Sequence, residues 1–250
     1  MGPFSHGGWS HEMGKHFHNE IYFGDSIATF YQKNIETTFF NHYLKNEKSA
    51  INLPEAYMFD TGKKEWKQFA EWPPKAAQKT QFYLRENGKF TTEIPSSASF
   101  TEYFSDPNKP VPSSTNLKDF NGFTPRNYMS EDQRFTENRP DVASFTTEIL
   151  SDDITLAGEI KVKLKIASTG SDADFFVKLI DIYPADEKNI KEKPGVIYGN
   201  YHQMVRSEIM PARFRNSFEK PEALVPNQET EVVFNLQDVL HTFKKGHKIQ

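Results

Sequence analysis

The stretch Ile160-Lys-Val-Lys-Leu-Lys-Ile166 decides the fold class. Apolar and charged residues alternate through it without a break, which is the period of an antiparallel strand with one face buried and one in water. The lysines at 161, 163 and 165 read as the solvated face. Working outward, short β-rich runs recur between turn residues: Ala56–Asp60, Lys64–Trp72, Gln81–Arg85, Lys89–Ile94, Val142–Leu150, Phe175–Tyr183, Ala212–Phe218 and Glu229–Leu236. Asn87-Gly88 between two such runs predicts a hairpin. Many short strands punctuated by Pro and Gly predict a mainly β protein, a sandwich or jelly roll. Residues 105–127 are rich in Pro, Ser and Asn and read as a long ordered loop or strap. Gly246–Gln250 looks like the opening of another strand, so the β domain is expected to be truncated at its C-terminus.

The first 48 residues have a different texture. Residues 1–24 hold five glycines and four histidines and show no period, so they read as loop. Residues 25–45 read as a helix capped by Asp25 or Ser26, with Ile27, Phe30, Tyr31, Ile35, Phe39 and Leu44 recurring at three- and four-residue steps. A boundary is expected near 46–54. Within the loop, His6 follows Gly2-Pro3 and precedes Gly7-Gly8. By composition alone it is either a solvent-exposed loop histidine or the last member of a Ser–Asp–His triad. In an α/β-hydrolase the triad runs Ser, Asp, His along the chain, so His6 leaves no room upstream for its partners. No Gly-x-Ser-x-Gly occurs downstream.

Bulk composition bounds the possibilities. A chain of 250 residues can bury a substantial core. Only 36% is apolar, but 14% is aromatic and 22 residues are Phe, so packing is expected to lean on rings. The net charge of −4 gives no reason to expect nucleic acid or an anionic membrane as partner. No apolar run is long enough for a transmembrane span, and no signal-peptide pattern is visible. With no cysteine, disulfides and thiolate chemistry are excluded, and cytoplasm and periplasm are both compatible.

Several segments taken in order resemble a known family: Gly2-Pro-Phe-Ser-His6, Phe59-Asp-Thr-Gly62, Trp66…Trp72-Pro73, Tyr103…Pro112, Asp132-Gln-Arg-Phe135…Asp141, Gly170…Phe175, Val177…Pro184 and Arg213-Phe-Arg215…Phe218. The ordered set is similar to the C-terminal part of the CocE/NonD-type serine hydrolases, above all α-amino-acid ester hydrolases and glutaryl-7-aminocephalosporanic acid acylases. That resemblance implies an α/β-hydrolase domain and a helical cap upstream, then a galactose-binding-like jelly roll of the kind named after X-Pro dipeptidyl-peptidases. Residues 1–48 would be the end of the hydrolase domain and 49–250 the jelly roll. The family's Gly-Pro-Trp-x-His motif falls on Gly2–His6, with Phe4 in the Trp position, which makes His6 the triad general base and acid. It implies an ester or amide substrate, no cofactor, a possible homo-oligomer and a possible periplasmic or secreted location. Trp9 is a candidate substrate contact, or a ring packed against the jelly roll.

Other constellations carry less chemistry. His11-Glu12-Met-Gly-Lys-His16 is one residue too long for the zinc-helix pattern, and glycines break any helix there, so no metal site is expected. Ser217-Phe-Glu-Lys220 matches Ser-x-x-Lys by chance, in a β context. Asp172, Asp174 and Asp181 sit at a turn and a strand end, where Asp commonly bonds backbone amides. Asp132, Arg134, Arg139 and Asp141 are expected to form one ion-pair network clamping their loop to a neighbouring domain. Against the hydrolase reading stand a non-catalytic jelly-roll binding module for carbohydrate or protein, and a pseudo-enzyme.

Overall fold

The computed structural model describes residues 1–24, 26–45, 51–116 and 127–250. A one-turn helix α1 (Gly8–His11) precedes a small ribbon, β1 (Phe17–His18) and β2 (Ile21–Tyr22). Helical residues then run from α2 (Ile27–Phe30) through a π turn (Tyr31–Glu36) into α3 (Thr37–Leu44). Apart from short 3-10 turns, the other elements are strands. These are β3 (Ala56–Asp60), β4 (Glu65–Phe69), β5 (Tyr83–Arg85), β6 (Lys89–Thr91), β7 (Ile154–Ile166), β8 (Asp174–Ile182), β9 (His202–Pro211), β10 (Thr230–Phe243) and β11 (Lys248–Ile249).

The mainly β sandwich forms as the alternation requires. β7 pairs antiparallel with β10, setting Ile160 against Leu236, Val162 against Phe234 and Leu164 against Val232. β8 lies between β9 and β11, antiparallel to both. The even-numbered residues of 160–166 pack with Phe175, Val177 and Met210 from the opposing layer. Apart from buried Met210 these side chains are half-buried, so each contributes less than the roughly 1.5–3 kcal/mol of a fully buried one. The odd-numbered lysines face water, and two of them pair with exposed glutamates, Lys163 with Glu231 at 2.8 Å and Lys165 with Glu229 at 3.2 Å. Pairs of this kind add little stability.

The hairpin at Asn87-Gly88 is present. Asn87 (φ 58°) and Gly88 (φ 67°) both take left-handed backbone, and β5 and β6 pair across them. Two expected strands are not there. Val142–Leu150 makes one isolated bridge, Thr146 with Lys89, and no ladder of its own, because its groups are shared between elements. Thr146 N bonds Gly88 O and Phe90 N bonds Thr146 O, while Thr147 N reaches Ile249 O and Leu150 N reaches His247 O. Ala212–Phe218 begins as a 3-10 turn, where the chain bends after Pro211 and Arg215 Nη1 holds the carbonyls of Ala212 and Glu222. The strand of that region is β9, just before it. Asp25, the stretch 46–50 and residues 117–126 of the strap lie outside the described residues.

The loop expected over 1–24 contains α1 and the β1–β2 ribbon, and it packs closely. Met1 O accepts from Phe59 N at 2.9 Å, so the chain start runs beside β3. Ile21, Phe23 and Ile27 share one buried cluster with Phe59, Tyr198 and Tyr201. Ser26 caps α2, accepting from Thr29 N at 3.3 Å. Phe30 stacks on Trp66 with centroids 5.3 Å apart, and Tyr31 meets Phe4 edge-on at 5.4 Å. Beyond the π turn the helix leaves this surface. α3 has no buried residue, and Phe39, Phe40, Tyr43 and Leu44 are exposed.

Candidate functional site

His6 sits at the tip of a tight turn and is exposed. Gly7 takes φ +73°, a left-handed conformation that disfavours a side chain, and Gly8 N closes the turn on Ser5 O at 2.8 Å. The nearest hydroxyls are committed elsewhere: Ser5 Oγ donates to Glu12 Oε1 at 2.7 Å, and Ser10 Oγ donates to Gly7 O at 2.8 Å. His6 is thus a presented imidazole with no nucleophile or carboxylate bonded to it among the described residues. Trp9 follows on α1. Its carbonyl accepts from Gln32 Nε2 at 2.8 Å, and its indole stays partly in solvent. His11 and His16 are likewise exposed, and among the described residues no group of His, Cys, Asp or Glu is arranged to hold a metal.

A polar cluster that the sequence did not suggest lies deep in the sandwich. Asp181 on β8 is buried against two imidazoles: His241 Nε2 is 3.1 Å from Oδ2 and His247 Nδ1 is 2.8 Å from Oδ1. The other nitrogen of His241 is 2.7 Å from Thr61 Oγ1. The expectation that Asp181 bonds backbone amides is corrected: a bulge between Leu179 and Ile180 shifts the strand's register, and Ile180, Asp181 and Ile182 are all buried. Asp172 does bond an amide, Arg213 N at 3.2 Å, as well as that residue's guanidinium, which also reaches Asp174.

A second buried carboxylate, Asp60, ends β3. It accepts from Gly62 N, Lys63 N and Thr242 N at 3.0–3.1 Å, from Thr242 Oγ1 at 2.6 Å and from Lys67 Nζ at 2.8 Å. Burial pushes both carboxyls up, and the bonds they accept overcome it, so both are held below the usual value of 3.8. Each therefore binds its proton more readily in the unfolded chain. Their stabilisation is full above that usual value and is lost as pH falls through the lower folded one. In urea unfolding followed against pH, the acid limb is expected below about 4. Asp181→Asn, which removes one titrating group, makes it shallower. A limb of unchanged slope would count against this role.

The remaining expectations resolve into local contacts. Asp132 with Arg134, and Arg139 with Asp141, form two separate pairs and not one network, because each arginine folds back two residues onto its own carboxylate. The first pair is tied to the sandwich, with Arg134 on Gly199 O and Asp132 accepting from His202 N. The loop is joined to the N-terminal segment by uncharged Ser130, which accepts from Asn19 Nδ2 at 3.1 Å and donates to Glu20 Oε2 at 3.0 Å. Tyr201 OH donates to Ser130 O, and Tyr198 OH to Glu20 O at 2.5 Å. Burial, with Glu20 nearby, pushes the Tyr198 phenol up to about 12. Ser217 Oγ accepts from Glu219 N at 3.1 Å and Lys220 N at 3.3 Å, a plain turn.

Comparison with known proteins places this architecture. Residues 49–250 match the family described as the X-Pro dipeptidyl-peptidase C-terminal non-catalytic domain. The chain is 28% identical to a cocaine esterase from Rhodococcus sp. (strain MB1 Bresler), over 97% of its own length and 42% of the relative's. A solved α-amino acid ester hydrolase superposes with a TM-score of 0.89 at 32% identity, over all of this chain and 41% of that one. An aminopeptidase from a marine sediment archaeon, Thaumarchaeota archaeon, gives 0.82 at 33% identity, over 91% of this chain and 37% of that one. The chain thus spans about two fifths of the length of the relatives it matches. On the family match, the sandwich and these relatives together, the chain belongs to the X-Pro dipeptidyl-peptidase C-terminal domain family, among the CocE/NonD-type hydrolases.

Proposed function

We propose that this chain is the C-terminal part of a serine hydrolase that cleaves esters or amides through an acyl-enzyme, with His6 as its proton carrier. The observation that carries the reading is the His6 turn. It holds an exposed imidazole on a pinned loop, with no hydroxyl or carboxylate bonded to it among the described residues, as fits a triad member completed by other polypeptide. On this reading residues 1–48 finish an α/β-hydrolase domain and 49–250 form the jelly roll beside it. Serine, aspartate, oxyanion hole and cap come from polypeptide outside these 250 residues. His6 takes the serine proton as the hydroxyl attacks the carbonyl, then gives it to the leaving group. It next removes a proton from the water that attacks the acyl-enzyme and returns it to the serine oxygen as the acid departs.

The substrate class is a small ester or acyl amide, an α-amino-acid ester first, by likeness to the solved ester hydrolase. Trp9, partly exposed just beyond the turn, is a candidate wall of the substrate mouth. The full-length protein treated with a fluorophosphonate is expected to take up one equivalent, on a serine outside residues 1–250. A folded protein that takes up none would overturn the reading, and saturable glycan binding without a reactive serine would replace it with a binding module.

A further inference from the structure

We propose that Glu12 is a positioning residue for His6, fixing through the Ser5 hydroxyl the turn that presents the imidazole; this rests on His6 being the proton carrier. A general base must hold its ring to within roughly 0.5 Å and 10–20° of the productive pose. The backbone around His6 is poorly suited to that, since two glycines follow it and Gly7 is left-handed. Precision must come from contacts made around the turn.

Ser5 and Glu12 supply them. Ser5 Oγ donates to Glu12 Oε1 at 2.7 Å, joining the residue before His6 to the residue after α1. Glu12 N donates to Gly8 O at 2.9 Å, so the same residue also closes the helix. The carboxylate folds directly over Gly8: a Cβ there would lie 2.5 Å from Glu12 Oε2 and 2.8 Å from Ser5 Oγ. The missing side chain is what lets the hydroxyl and the carboxylate meet. Glu12 is itself moored two residues on, where Gly14 N donates to Ser26 Oγ at 2.9 Å and Thr29 Oγ1 at 3.0 Å, at the start of α2. This chain of contacts runs from α2 through the segment of Glu12 and Ser5 to the turn of His6. The carboxylate bonds Ser5 and not the imidazole, so it acts on the ring's placement and not on the proton.

The test uses the full-length protein with p-nitrophenyl acetate. Glu12→Ala is expected to lower kcat about tenfold to a hundredfold, the range for a misplaced catalytic group, with KM and melting temperature unchanged. Glu12→Gln, whose amide oxygen can still accept from Ser5, restores most of the loss. Ser5→Ala gives the same loss, and the Ser5→Ala/Glu12→Ala double variant loses no more than either single one. Wild-type kcat in Glu12→Ala while His6→Ala is inactive would overturn the proposal alone, as would losses that multiply in the double variant. A drop in melting temperature that tracks the lost activity would make the contact merely structural. Activity retained by His6→Ala would instead remove the reading of His6 on which the proposal stands.

Discussion

Replacing His6 with alanine is expected to lower kcat about ten-thousand-fold or more for a p-nitrophenyl ester in the full-length protein. That corresponds to about 5.5 kcal/mol of transition-state stabilisation. A serine hydroxyl is a weak nucleophile without a base to take its proton, and Ser5, Ser10 and Glu12 beside His6 are engaged in contacts of their own. Ser5 and Glu12 are bonded to each other, and the Ser10 hydroxyl faces Gly7 O and the His11 ring. Because His6 is exposed, its removal leaves the fold intact, and the melting temperature should not move. Fluorophosphonate labelling should slow in parallel with turnover, since the same proton transfer activates the serine in both. A variant within tenfold of wild-type kcat would show that another group carries the proton.

The largest effect on stability is expected at Gly62, where alanine should cost about 4 kcal/mol or more, or prevent folding. Gly62 lies in the turn after β3, pressed against β10: a Cβ would stand 1.9 Å from Thr242 O and 2.7 Å from its carbonyl carbon. Both neighbours are backbone, so neither can rotate away. The turn cannot retreat either, because Asp60 holds Gly62 N and Thr242 N on one carboxylate oxygen and Thr61 N donates to Leu240 O at 3.2 Å. Gly170→Ala is the control, since its Cβ would meet nothing closer than 3.7 Å. Urea unfolding of the two variants should separate them by several kcal/mol. Equal midpoints would mean that the turn and β10 can slide apart more easily than their hydrogen bonds imply.

How far the sequence could be read follows from the range of each signal. Alternation over 160–166 declares a half-buried strand because side-chain direction in a strand repeats every two residues. Asn87-Gly88 declares a hairpin because both residues tolerate left-handed backbone. The failures at Val142–Leu150 and Ala212–Phe218 have one cause. Both have strand composition, but a strand also needs a neighbour with a matching edge. The first shares its hydrogen bonds among β6, β11 and the turn before β11, and the second bends after Pro211. The ion pairs at 132–141 were legible as charge but not as geometry, since an arginine two residues from a carboxylate can fold back on it as readily as reach across.

From the chain of letters alone came the strand class, a helix cap at Asp25 or Ser26, the hairpin, and the imidazole set among glycines at position 6. All of these are local, governed by dihedral preference and by side-chain periods of two to four residues. Only the tertiary structure decided that Asp181 meets His241 and His247, that Gly62 lies against Thr242, and that Ile21, Phe23 and Ile27 share a core with Tyr198 and Tyr201. Those contacts join residues far apart along the chain. Their partners are selected by the path of the whole backbone and by the cost of leaving buried polar groups unpaired, and neither is written in any short window of sequence.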